Sequence, residues 1–150
     1  MALTTTAAKS PAHEAQELFF EIGMETRKRA AAKLSELRLT FPLAHALRVL
    51  DPDRPRPMRD LAELLVCDAS NVTALADRLE GKGLAERQPD PGDRRVKALA
   101  LTPEGKRLRE RVFEVMSEPP PPIAALPAAD QRALRDILRR AVEIQRRARD

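Results

Sequence analysis

The chain has 150 residues, a net charge of +4 and 43% hydrophobic residues, enough apolar side chain for one domain with helical extensions. No apolar run approaches the ~20 residues of a membrane span, and the polar start MALTTTAAKSPAHEAQ lacks the basic-then-apolar pattern of a secretory leader. A single cysteine, Cys67, excludes an internal disulfide or a cysteine-built metal site and points to a reducing, cytoplasmic setting.

Residues 1–12 read as a frayed start. From His13 to Leu39 the apolar spacing is helical, with Ser10 and Pro11 as the start signal. Thr40 opens a second helix. Its hydroxyl is placed to accept from a first-turn N–H, and Pro42 lies where a missing donor costs little. Leu43, Ala46, Leu47 and Leu50 share one face of that helix. The prolines of DPDRPRPM (51–58) cannot continue it and favour an extended connector. Asp60, with Glu63 three residues on, reads as the cap of a third helix whose apolar side is Leu61, Leu64 and Leu65. A turn at a buried Val66 and at Cys67 leads to a second cap, Asp68. The helix ASNVTALADRLE then places Val72, Leu75 and Leu79 at core spacing, and Gly81 and Gly83 end it.

Two helices joined by about four residues form a helix-turn-helix. Strands over Leu84–Gln88 and Val96–Leu101 follow, bridged by PDPGDRR. Thr102, Pro103 and Glu104 start a helix that runs to about Ser117. SEPPPP (117–122) breaks it, and a last helix over 128–147 aligns Leu134, Ile137, Leu138, Ala141 and Ile144. The expected fold is mainly α with a small β-hairpin wing. It comprises an N-terminal dimerisation helix (13–39), a winged helix-turn-helix lobe (40–102), C-terminal helices of the dimerisation lobe (103–147) and a tail (148–150).

This constellation suits duplex DNA. A helix fits the major groove and reads base edges there, and an arginine on a thin hairpin fits the narrow minor groove. Gly92 permits a tight tip, and Asp93 either braces Arg95 or caps the turn. The chain also resembles the MarR (multiple antibiotic resistance regulator) family of bacterial transcription factors. Asp93-x-Arg95 followed by Leu101-Thr102 is similar to that family's wing signature, 60–84 to its helix-turn-helix and 39–50 to the helix before it. The resemblance implies a homodimer, a pseudo-palindromic operator, repression, and release by a small aromatic or phenolic effector. Carried over by position, Ser70, Asn71 and Thr73 face bases, and Arg94 and Arg95 occupy the wing. His45 lies near where the family's effector pockets occur.

Two features depart from that pattern. Ala69 and Ala74 stand where members often carry basic residues. Over 68–80 the recognition helix holds Asp68, Asp77 and Glu80 against Arg78, a net charge of −2. Attraction to DNA then falls to the wing, Arg59, Lys82 and helix dipoles. Arg78 is expected to pair locally, with Asp93 of the wing as the candidate. Neutralising ~6 phosphates per dimer would give a log–log salt slope of about −5. The apolar row of the last helix needs a partner surface, and a second copy supplies one while setting two recognition helices about one DNA turn apart. Cys67 reads as a small core residue and the proline run as a helix break. Catalysis, a cofactor and a metal site find no pattern: there is no metal-spaced histidine cluster, phosphate-cradling glycine loop or histidine-paired nucleophile. Two other readings stay open: a winged-helix module that binds protein, and a ligand-independent activator.

Overall fold

A computed structural model of the chain describes residues 10–148. Among them are seven helices and a three-stranded sheet: α1 (Pro11–Glu36), α2 (Phe41–Val49), β1 (Arg56–Pro57), α3 (Met58–Leu65), α4 (Ala69–Gly81), β2 (Ala85–Pro89), β3 (Lys97–Leu101), α5 (Pro103–Ser117), α6 (Pro121–Ala124) and α7 (Ala128–Arg147). The fraying expected for 1–12 falls largely on residues outside this range, and Pro11 and Ala12 are already helical. Arg27–Glu118 forms one compact unit. The described parts of the segments up to Thr26 and from Pro119 form another.

Within the larger unit, β3 lies between β2 and β1, antiparallel to both, with Arg87 opposite Leu99 on one side and Arg56 opposite Leu99 on the other. The connector 51–58 is thus more than a spacer, because its end adds an edge strand. That pairing brings the chain into α3 at Met58, so Asp60 lies inside the first turn and is not the cap. Thr40 precedes α2 in extended conformation, but its side chain makes no capping bond; its carbonyl accepts from Ala44 at 3.0 Å instead.

Three helices end in one motif. Leu39 donates to Leu34 O and Arg38 to Ser35 O at the end of α1. Cys67 donates to Ala62 O and Val66 to Glu63 O at the end of α3. Leu84 donates to Leu79 O and Gly83 to Glu80 O at the end of α4. Each needs one residue in left-handed conformation, and Arg38, Val66 and Gly83 take it with φ of 56°, 51° and 69°. Val66 is 89% exposed, correcting its assignment to the interior. The 6→1 bond requires the positive φ, which turns this β-branched side chain outward at a cost of about 1–2 kcal/mol. In the same way α1 stops at Glu36 and not at Leu39, because Arg38 reverses the chain.

The core of the larger unit is leucine-rich. Leu34, Leu47, Leu50, Leu79, Leu99 and Val112 are fully buried, joining α1, α2, α4, the sheet and α5. α5 is capped by Thr102, whose hydroxyl accepts from Gly105 N–H at 3.0 Å and donates to Gly83 O at 2.6 Å. It is tied to α2 by Arg109, which donates to Leu50 O at 2.9 Å and stacks over Phe113.

The terminal unit is the opposite case. No side chain of α7 is buried, and Ile137, Val142 and Ile144 are 53, 42 and 68% exposed. Phe19 and Phe20 of α1 are 68 and 67% exposed. Proline at 121 starts the single turn of α6 after the SEPPPP break.

Candidate nucleic-acid interface

α3 and α4 form the helix-turn-helix, and the hairpin β2–β3 follows α4. Asp68 caps α4. Its Oδ1 accepts from the Asn71 N–H at 2.8 Å and from the Ser70 hydroxyl at 2.6 Å, and its Oδ2 accepts from Asn71 Nδ2 at 3.2 Å. The Ser70 hydroxyl first, and then the Asn71 amide, hold the Asp68 carboxyl below its ordinary value. One carboxylate therefore both satisfies the helix end and orients two of the three expected base readers. Ser70, Asn71 and Thr73 are all exposed, while Val72, Ala76 and Leu79 on the other face are buried. Thr73 donates its hydroxyl to Ala69 O at 2.9 Å.

The wing tip is built by two aspartates. Asp90 accepts from the N–H groups of Gly92 at 2.9 Å and Asp93 at 3.2 Å, and Asp93 accepts from the Arg95 N–H at 3.0 Å. Of the two roles open to Asp93, capping the turn is the one observed. Both arginine side chains, Arg94 and Arg95, stand exposed at the tip. Arg59 pairs with Asp60 at 3.3 Å and remains 79% exposed. Lys82 donates to Arg38 O at 3.1 Å, so its ammonium also serves the end of α1.

The expected ion pair between Arg78 and Asp93 is absent. The cation that meets the recognition helix comes from the hairpin: Arg87 pairs with Asp77 at 2.7 Å and with Glu80, and donates to Thr73 O at 3.2 Å. Its own backbone N–H donates to Glu80 Oε1 at 2.7 Å. Desolvation opposes the charged guanidinium, but the hydrogen bonds and charges of Asp77 and Glu80 outweigh it and raise its pKa further. Two of the three acids that made α4 net negative thereby share one counter-ion, which brings the local balance from −2 to −1. Sequence reasoning passed over Arg87. The available signal was an acidic pair at i, i+3 beside a strand with one basic side chain.

Arg78 instead lines a cavity of about 340 Å³ with Pro42, His45, Leu65, Cys67, Asn71, Ala74 and Leu75, which brings His45 and Cys67 to one flank of the recognition helix. His45 stacks on Phe41 with centroids 6.4 Å apart, and Arg27 covers the Phe41 ring at 4.5 Å. Burial first, and then Arg48, lower the His45 pKa below its ordinary 6.5 and favour the neutral imidazole. Cys67 is half-buried and packs on the edge of the core.

Residues 39–97, which carry the helix-turn-helix and most of the wing, match the model of the MarR family. The helix-turn-helix and wing are thus a MarR-type domain. It is 26% identical over 98 residues to the organic hydroperoxide resistance transcriptional regulator of Bacillus subtilis, spanning 65% of this chain and 67% of that one. Matches to two further B. subtilis regulators span only 49% and 58% of their lengths. Among solved structures, apo MarR from E. coli matches with a TM-score of 0.73 at 23% identity over 84% of this chain and 94% of its own, a likeness of fold. A Staphylococcus aureus MepR mutant bound to an oligodeoxyribonucleotide matches with a TM-score of 0.60 at 25% identity over 87% of this chain and 97% of its own. The MarR family is one of transcriptional regulators and not of enzymes. Among the described residues no helix is long and apolar enough to cross a membrane, and no group of acidic, histidine or cysteine side chains could hold a metal ion.

Proposed function

We propose that this chain is a MarR-family regulator: a homodimeric, sequence-specific double-stranded DNA-binding repressor that works in the cytoplasm on a pseudo-palindromic operator and is released by a small aromatic effector. The observation that carries the reading is the joint presentation of two DNA-reading elements. The polar start of α4 (Ser70, Asn71, Thr73) is exposed, and a hairpin strapped to that same helix by Arg87 ends in Arg94 and Arg95. Such a helix suits the base edges of the major groove and such a hairpin the adjacent minor groove. Arg59 and Lys82 add positive charge for the phosphate backbone. The MepR mutant's complex with an oligodeoxyribonucleotide supports DNA binding by the same fold.

A second copy is the reading of the terminal unit. Exposed Phe19, Phe20, Ile137, Val142 and Ile144 each contribute ~1.5–3 kcal/mol if fully covered, more than an isolated chain would leave to water. Two-fold pairing also accounts for a palindromic site. The cavity beside His45 supports the effector step. It is walled by α4 itself and combines apolar Leu65, Ala74 and Leu75 with His45, Asn71 and the Arg78 guanidinium, so a flat anionic ligand there would act on the reading helix. The protein-binding alternative rested on the net-negative helix, and the Arg87 pairing weakens that motive.

Selection of duplexes from a random-sequence library with the purified protein tests the reading. Enrichment of a site with two-fold symmetry and half-sites about one helical turn apart is expected. A pool that gains no consensus and shows no salt-sensitive retention would remove the DNA-binding function and favour a protein partner.

A further inference from the structure

Arg87 lies mid-strand in β2, opposite Leu99 of β3, and the reading of bases above makes no use of it. Its side chain is 24% exposed and reaches acceptors at three places along α4: the Thr73 carbonyl, the Asp77 carboxylate and the Glu80 carboxylate. From 73 to 80 the helix advances about 10 Å. One hydrogen bond would leave the hairpin free to swing about it. Contacts spread over two helical turns leave no such freedom. The hairpin's base is held separately, because Leu84, Ala85, Leu99 and Leu101 are buried in the core. Beyond Arg87, Ala98 opposite Gln88 is the last buried side chain, and positions 91–95 at the tip are all exposed. Apolar packing and the pairing of β3 with β1 therefore hold the hairpin as far as Ala98, and the exposed tip beyond it is left to polar contacts made along β2.

We propose that Arg87 is a positioning residue: by clamping Thr73, Asp77 and Glu80 it fixes the angle between the recognition helix and the wing, and so the placing of Arg94 and Arg95 relative to Ser70, Asn71 and Thr73. The use of that angle rests on the DNA-binding reading; the clamp itself does not. The clamp also cancels carboxylate charge on the helix that would meet phosphate. Charge and geometry separate in one substitution. Arg87→Lys keeps the cation, but a single ammonium cannot span the acceptors that a planar five-donor fork reaches.

The test is made first without DNA. Spin labels at Glu63→Cys on α3 and Pro91→Cys at the wing tip, in a Cys67→Ser background, report the angle as a distance distribution by pulsed electron resonance. With Arg87 the distribution is narrow. In Arg87→Ala and Arg87→Lys it broadens, while the melting temperature shows that the fold survives; Asp77→Asn, which leaves the arginine in place, broadens it less. On the duplex recovered by selection, hydroxyl-radical protection of the minor groove by the wing is lost in both Arg87 variants, and affinity falls at least about tenfold. Major-groove protection by α4 persists. Distance distributions in folded Arg87→Ala and Arg87→Lys equal to the parent's overturn the clamp. Broadening in the Arg87 variants of a parent that itself protects no DNA upholds the clamp and refutes the DNA-binding reading, so the two failures are told apart.

Discussion

Gly105 sets helix propensity against packing. It is the third residue of α5, and a Cβ built there would lie 1.8 Å from Leu84 O, 2.8 Å from Leu84 C and 3.2 Å from Leu101 Cδ2. An ordinary carbon–oxygen approach is about 3.3 Å, so α5 would have to retreat by roughly 1.5 Å. The same retreat stretches the bond from Thr102 N–H to Leu84 O, now 3.1 Å, and that from the Thr102 hydroxyl to Gly83 O, now 2.6 Å. Alanine gains about 1 kcal/mol of helix propensity over glycine. Against this stand about 1–3 kcal/mol for overpacking and about 1 kcal/mol for each weakened hydrogen bond. Packing wins, and Gly105→Ala should destabilise the protein by roughly 2–4 kcal/mol, lowering the melting temperature by roughly 5–15 °C. The chain has no Trp or Tyr, so circular dichroism is the suitable probe. Gly81→Ala is the control: nothing lies within 4 Å of its added Cβ, and its melting temperature should hold or rise. A Gly105→Ala protein as stable as the parent would refute the close approach of α5 to the base of the hairpin.

Three further outcomes follow from the same contacts. Asn71→Ala should relax base preference at one position of each half-site by about 1–3 kcal/mol, read by binding to duplexes varied at that position; equal losses on every duplex would deny it a reading role. Leu134→Asp combined with Leu138→Asp, both on the apolar row of α7, should yield a monomer in analytical ultracentrifugation, and an unchanged dimer would move the interface elsewhere. The depressed Asp68 carboxyl contributes stability that is complete above its ordinary 3.8 and is lost as pH falls through the lower folded-state value. Asp68→Asn keeps a capping side chain but removes that titration, so its stability difference from the parent should shrink with acidification; a difference constant with pH would show that the cap carries no charge effect.

Much of this molecule was legible in its sequence, because the informative residues act locally. Asp68 and Thr102 cap their helices as their positions suggest, α5 and α7 have the expected limits, and the paired strands flank the predicted tip. What stayed hidden depends on partners distant in sequence or on conformations that composition does not reveal. Gly83 advertises a left-handed turn, but Arg38 and Val66 make the same turn without a glycine. The subtler signal was an apolar pair five residues apart, Leu34 with Leu39 and Leu79 with Leu84, each closing a helix end. The strand at Arg56 exists only because β3 lies alongside it. Arg87 was overlooked for a related reason: its acceptors lie seven to fourteen residues back, and only folding lines up Thr73, Asp77 and Glu80 before it. The acids on α4 looked like an obstacle to DNA binding because their counter-ion sits on another element.

The dependence of duplex affinity on salt, measured for the parent and for a protein carrying both Arg94→Ala and Arg95→Ala, bears most directly on the DNA-binding reading. The parent should give a log–log slope of about −5, and removing four wing arginines per dimer should bring it to about −1.5, near 0.9 unit for each. Identical slopes in the two proteins, or no salt dependence in the parent, would contradict a wing that enters the groove.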